Sequence, residues 1–254
     1  MNWLILAVSG VFSGILSGLL GIGGGFIIVS LLVALGYPPI QAVATSSLVI
    51  VLSSSTGSFY NWRSGYLDLK RVVYIAIPAI ITAQLGVYLA VKIPDYFLLG
   101  IFSIFLITNI FLIQLRKKLV AENKRSNNHL NPVLSKVATG SIAGFLAGLL
   151  GVGGGAIMVP LQMLLLNEDI KVAIRTSLGV IVAATVSSCV VHGTQGNILY
   201  FEGLTLGIGG MVGSQLGTRV LPKLPDSLVS RIFVLFLASM AVLNLWQAWK
   251  SYTI

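Results

Sequence analysis

The chain has 254 residues, 56% of them hydrophobic and only 9% charged, with a formal net charge of +9 and a mean hydropathy of +0.95. A soluble domain carries about 25% charged residues, so this composition excludes a water-soluble globule and reads as an all-α polytopic membrane protein. The positive balance is no nucleic-acid footprint, because basic residues in membrane loops mark the cytoplasmic side; the lipid bilayer is the expected partner, and nucleic acid is not.

In chain order, apolar runs cover residues 3–36, 40–60, 72–91, 97–115, 137–166, 172–191, 203–221 and 227–249. These are about eight hydrophobic helical segments, and a crossing of the hydrocarbon core needs about 20 residues. The first run has no basic n-region, so it reads as mature structure rather than a signal peptide. It is too long for one straight crossing, at about 50 Å against a core of about 30 Å, and too short for two. Within it lies "GLLGIGGGFIIV" (18–29), and the fifth run holds "GLLGVGGGAIMV" (148–159). Glycine costs a helix about 1 kcal/mol relative to alanine, so segments 1 and 5 are expected to break at these clusters. Either a hairpin or one broken, tilted helix fits the length. Backbone freed at membrane depth survives only where protein buries it or a wet cavity lines it. Free amides with a half-helix N-terminus behind them suit an anion, which nominates Gly23, Gly24, Gly25, Gly153, Gly154 and Gly155. Close helix packing is the alternative use of these glycines, and the favoured one for Gly14 and Gly18.

The chain is a duplication. Shifted by 130 residues, Gly14, Gly18, Gly21 and Gly23 to Gly25 fall on Gly144, Gly148, Gly151 and Gly153 to Gly155. After one inserted residue the shift becomes 131, and "AVATS" (42–46) meets "AIRTS" (173–177), Asn61 meets His192, and "QLG" (84–86) meets "QLG" (215–217). Phe102 and Phe105 then meet Phe233 and Phe236. The halves are read as 1–115 and 137–254, joined by a basic, cytoplasmic linker at 116–136.

Several polar residues sit inside the apolar runs. Thr45, Ser46, Thr176 and Ser177 offer hydroxyl donors to an oxyanion, or bond back to their own helix. Arg175 replaces Ala44 of the first copy and either snorkels to the interface or draws an anion in. Asn61 and His192 stand near the ends of their runs, and the histidine can titrate near neutrality. Gln84 and Gln215 lie mid-run and are expected to face the bundle, because a glutamine amide in lipid is costly. The acidic residues Asp68, Asp95, Glu122, Glu168, Asp169, Glu202 and Asp226 lie in or beside loops, which argues against a cation substrate. Cys189 is alone and reads as a packing residue. There is no Walker motif, metal-ligand cluster or nucleophile–base pair, so neither an enzyme nor a metal or other cofactor is expected.

With these motifs assembled, the chain resembles the TauE/SafE family of sulfite exporters, also called toluene sulfonate uptake permeases. "GILSGLLGIGGGFIIVSLL" (14–32) with "AVATSSL" (42–48) carries the resemblance. Their echoes, "GFLAGLLGVGGGAIMVPLQ" (144–162) and "AIRTSLG" (173–179), carry it again, as do His192 and "GSQLGTRV" (213–220). The resemblance implies a carrier of sulfite, sulfonates or related sulfur anions in the cell membrane. It places Gly23 to Gly25, Thr45, Ser46, Gly153 to Gly155, Thr176, Ser177 and His192 at a central anion site. Arg175 departs from the family's usual small residue, and Asn61 from a second histidine. A carrier for another small anion such as a carboxylate, or an anion channel, is the alternative, and homo-oligomerisation is left open.

Loop 61–71 holds Arg63, Lys70 and Arg71, whereas 192–202 holds neither Lys nor Arg. Opposite sides explain that difference, so inverted repeats are favoured over parallel ones. Labels at positions 65 and 196 would separate the two layouts. Leucine at Gly24 or Gly154 is expected to abolish transport while leaving the chain folded.

Overall fold

A computed structural model describes residues 3–94 and 131–252, with positions 97, 100, 101, 104, 108 and 111 between them. The run 97–115 is described only at those positions, and Phe102, Phe105, Asp95, Glu122 and most of the linker lie outside the described residues. All regular elements among the described residues are helical.

The first run divides into α1 (Trp3–Leu20) and α2 (Gly25–Ala34), followed by α3 (Pro39–Arg63) and α4 (Leu69–Ala90). The second half repeats the order as α5 (Pro132–Leu150), α6 (Gly155–Leu165), α7 (Ile170–Thr194) and α8 (Tyr200–Val220). A short 3₁₀ turn (Leu221–Lys223) then leads to α9 (Asp226–Tyr252). Among the described residues five helices, α1, α3, α4, α5 and α7, are long and apolar enough to cross a membrane. α5 begins inside the segment read as linker: Pro132 occupies its first turn, and Asn131 caps it by accepting from the Val133 amide at 3.0 Å. The inserted residue lies in the second short helix, since α2 has 10 residues and α6 has 11. Register is then shared, and Gly36 (φ 90°) and Asn167 (φ 53°) occupy equivalent left-handed positions.

The halves interlock. α1 packs along α8, and α5 along α4. Small residues make this approach backbone to backbone: a methyl added at Gly10, Gly14 or Gly18 would run into the carbonyls of Leu206, Gly210 and Ser214. Gly140, Gly144 and Gly148 meet Ile75, Ala79 and Ala83 in the same way. Both registers rise together, so each pair is parallel. Gly14 and Gly18 are packing glycines.

Helix directions follow from contacts at the ends. Tyr66, just past α3, lies beneath Arg175 in the second turn of α7, with the guanidinium 4.1 Å from the ring centroid. Leu199, just past α7, donates its amide to Thr45 Oγ1 near the start of α3 at 3.0 Å. The two equivalent helices α3 and α7 are therefore antiparallel. α3 rises in step with α8, Gly203 meeting Thr45 and Gly210 meeting Ser53, so α1 and α3 start at the same end. α2 consequently returns the chain towards the end where α1 began, and α1–α2 is a bent hairpin.

The two ends differ in charge. Arg63, Lys70, Arg71, Lys136, Lys171, Arg175, Arg219, Lys223 and Arg231 gather at one, the basic end, whereas Lys92 and Lys250 stand at the other. Equivalent bridges tie the ends. At the basic end Arg71 Nη1 pairs with Glu168 Oε1 at 3.1 Å. At the other, Tyr37 donates to Glu202 Oε1 at 3.1 Å. Under the 131-residue shift Tyr37 corresponds to Glu168 and Arg71 to Glu202.

Burial holds the Glu168 carboxyl above the usual carboxylate range, against the pull of Arg71 and Lys136. The folded chain then binds that proton more tightly than the unfolded one. The stability from this group is fully present below about pH 4.3 and is lost as pH rises through the raised value. Denaturant unfolding in detergent across that window should show the falling slope, and Glu168→Gln should flatten it.

Candidate functional site

The glycine clusters become two breaks, residues 21–24 between α1 and α2 and residues 151–154 between α5 and α6. Gly21, Gly23 and Gly24 take φ of 67°, 80° and 81°, and Gly151, Gly153 and Gly154 take 64°, 78° and 70°. L-residues avoid this region, which is why the chain spends glycine here. Residues 21–25 and 151–155 are all buried.

The breaks pack on each other at the centre of the bundle. A methyl added at Gly25 would strike the Gly151 carbonyl, and one at Gly155 the Gly21 carbonyl. Gly23 and Gly153 both lie against Ile50 and Ile181, the midpoints of α3 and α7. Ile22 and Val152 complete an apolar surround, each 0% exposed. Two half-helices therefore start here, α2 at Gly25 and α6 at Gly155, and neither has a side-chain cap. Their first amides have no acceptor within the helix, and both positive dipole ends meet at the crossing.

The "TS" pairs lock the crossing. Ser46 Oγ donates to the Gly151 carbonyl at 2.6 Å, reaching the Val43 carbonyl at 2.8 Å as well. Ser177 Oγ donates to the Gly21 carbonyl at 2.8 Å, reaching the Ile174 carbonyl at 2.8 Å. Each serine thus satisfies a carbonyl at the end of the other half's first helix. The single hydroxyl hydrogen is taken up by these carbonyls. Thr45 accepts from the Leu199 amide, and Thr176 is 2% exposed beside Ser177. Ser13, which the sequence reading did not single out, donates to the Gly24 carbonyl at 2.8 Å. Its equivalent is Ala143, so only the first break has this support.

The other nominated residues separate. Asn61 and His192 are buried at opposite ends of the bundle, 1% and 0% exposed. The Asn61 amide nitrogen and both His192 ring nitrogens have no hydrogen-bond partner. Arg175 stacks on Tyr66 at the basic end, away from the crossing. Gln84 and Gln215 correct an expectation: both are exposed on the outer faces of α4 and α8. Their neighbours Gly86 and Gly217 face inward against the Phe145 and Ile15 carbonyls instead. Close packing claims the small residue of each "QLG", and the glutamine two places earlier is turned out. The Gly24 and Gly154 expectation also changes. A methyl there would strike Ser13 Oγ or the Ala143 carbonyl, so leucine attacks the fold and is not a clean probe of transport.

Comparison with known proteins places this geometry in a family. The chain is 28% identical over 256 residues to "Probable membrane transporter protein YunE" of Bacillus subtilis, covering 91% of this chain and 93% of that one. It is 28% identical over 236 residues to "Probable membrane transporter protein MJ0441" of Methanocaldococcus jannaschii, covering 87% and 86%. A "Probable membrane transporter protein" of Haemophilus influenzae is 31% identical over 168 residues, covering 62% and 59%. No solved structure matches the chain. The family model described as "Sulfite exporter TauE/SafE" matches residues 6–243, both glycine breaks and both "TS" pairs included, and the chain is accordingly a membrane transporter belonging to the TauE/SafE family.

Proposed function

We propose that the protein is a secondary carrier that moves a small sulfur-containing anion, sulfite or an organosulfonate, across the plasma membrane by alternating access. The observation that carries this reading is the meeting of two uncapped half-helix N-termini, those of α2 and α6, at the central crossing. Discontinuous helices that aim positive dipole ends at a mid-membrane site are a recurring device for anionic substrates. Among the described residues no fixed charge stands there to trap the ion. The antiparallel α3 and α7 support an inverted repeat, residues 1–115 against 137–254, each half contributing one re-entrant hairpin. The basic end is the cytoplasmic one by the positive-inside rule, which puts the 116–136 linker there too. The bridges at the two ends, Arg71–Glu168 and Tyr37–Glu202, are suited to close the path alternately.

The topology has a direct check. Gly65 and Gly196 have positive φ, so the cysteine probes are better set one residue earlier, at the exposed, equivalent Ser64 and Gln195. In a Cys189→Ala background, Ser64→Cys should label from the cytoplasmic side and Gln195→Cys from the outside. Labelling of both from one side would remove the inverted repeat.

Substrate and mechanism are tested by uptake of labelled sulfite into proteoliposomes preloaded with unlabelled sulfite. Saturable counterflow, competed by sulfonates, is expected. Exchange of a carboxylate without sulfite would overturn the substrate, and current without exchange would make the protein a channel.

A further inference from the structure

Four buried donors lie at one level of the bundle, between the crossing and the basic end. The hydroxyls of Ser17, Ser54 and Ser214 and the amide nitrogen of Asn61 have no hydrogen-bond partner. Their residues are 0%, 0%, 0% and 1% exposed. Ser54, Gly57 and Asn61 share one face of α3, being three and four residues apart. At Gly57 the missing side chain lets α3 come close to α8. A Cβ there would lie 2.6 Å from Ser214 Oγ and 3.1 Å from Thr218 Oγ1, both on α8. Gly18 brings α1 to the same level, its Cβ position lying 2.7 Å from the Thr218 amide, and Ser17 is its chain neighbour. The Ser17 carbonyl accepts from the Gly21 amide at 2.8 Å, so the group adjoins the first break. Thr218 spends its own hydroxyl on the Ser214 carbonyl at 2.7 Å.

The equivalent place in the other half is different. Ser17, Ser54, Asn61 and Ser214 correspond there to Ala147, Thr185, His192 and Ala83. Thr185 is already bonded to the Ile181 carbonyl at 2.6 Å. Close packing, which the repeat shares, does not account for four unpartnered residues here where the equivalent place has His192 alone without a partner. Buried donors left unsatisfied are costly, and each of these four has a proton to give and no partner that takes it. Lys and Arg are absent from it, and so is any carboxylate.

We propose that Ser17, Ser54, Asn61 and Ser214 form a binding site for a small oxyanion on the cytoplasmic side of the crossing. The site reads acceptor oxygens with neutral donors, which bind an anion without a fixed charge to hold it and so let it leave. The choice of sulfite as first ligand rests on the transport reading above; the site itself does not.

Ser54→Ala and Ser214→Ala remove these donors without breaking any bond seen in the fold. Thermal unfolding of the purified protein in detergent, titrated with sulfite, methanesulfonate and acetate, reads binding independently of transport. Each variant should lose about tenfold in apparent sulfite affinity, with its ligand-free stability unchanged or higher. Ser47→Ala, which removes only a hydroxyl bonded back to the Val43 carbonyl at 3.2 Å, should bind as the parent does. If the parent is stabilised by acetate and not by sulfite, the sulfur reading falls, and a tenfold loss for acetate in the variants still supports the site. Unchanged affinity in both variants would overturn it, making the donors hosts to water, and so would a parent stabilised by none of the three anions.

Discussion

Gly25→Ala and Gly155→Ala should each cost about 3 kcal/mol or more. Neither residue has positive φ, so a conformational argument alone makes both changes harmless, even favourable, at the start of a helix. The contacts say otherwise. A methyl at Gly25 would meet the Gly151 carbonyl, with Ile50 Cδ1 at 2.7 Å and the Val152 Cα at 2.8 Å. At Gly155 it would meet the Gly21 carbonyl, with Ile181 Cδ1 at 2.5 Å and the Ile22 Cα at 2.9 Å. Backbone of the opposite break cannot rotate away as a side chain can. Gly23→Ala is the informative comparison. There φ is 80°, but the nearest atoms are Ile50 Cγ2 at 3.0 Å and Ile181 Cγ2 at 3.4 Å. Its penalty is mainly the left-handed backbone, about 1–2 kcal/mol. Denaturant unfolding in detergent should therefore rank Gly25→Ala and Gly155→Ala below Gly23→Ala. The reverse order would mean that dihedral freedom, not the approach of the two breaks, is what these glycines supply.

The same contrast explains what could be read without coordinates. The duplication was legible because identical geometry demands identical residues: glycine where two backbones touch, and "TS" where a hydroxyl must reach a neighbouring carbonyl. The breaks were legible because "GIGGG" (21–25) and "GVGGG" (151–155) are poor helix. What a motif cannot carry is the partner. The hydroxyls of Ser46 and Ser177 suit an oxyanion or a bond back to their own helix, and in the fold each reaches a carbonyl one turn back and a carbonyl of the other half, more than a hundred residues away in the chain. The cost of an amide in lipid predicts that Gln84 and Gln215 face inward. The 3.6-residue period gives that face to Ala83 and Gly86, and to Ser214 and Gly217, instead. Ser17, Ser54 and Ser214 do not stand out because serine in an apolar run is ordinary. Only their unpartnered burial at one junction of α1, α3 and α8 marks them. One clue was available: Ser17 and Ser214 are polar where the duplicate has Ala147 and Ala83.

Ser46→Ala and Ser177→Ala should each cost about 1–3 kcal/mol, because each leaves a buried carbonyl at the crossing without its donor. The positions are equivalent, and their donor distances to Gly151 and Gly21 are 2.6 and 2.8 Å, so the two losses should agree to within about 0.5 kcal/mol. Ser47→Ala supplies the scale. Its hydroxyl bonds only one turn back along its own helix, an arrangement that adds little to stability, and its equivalent is Leu178, which has no hydroxyl. A near-neutral Ser47→Ala beside a costly Ser46→Ala would show that the second residue of "TS" is repeated because it fastens one half to the other. Transport then separates the structural role from a binding one. If the serines are locks, Ser46→Ala should lower the yield of folded carrier while the molecules that do fold keep the parent's KM in sulfite counterflow. A variant with parental stability and a raised KM would return the hydroxyl to the substrate, and the carbonyl contact would then be what the anion displaces on entering the crossing.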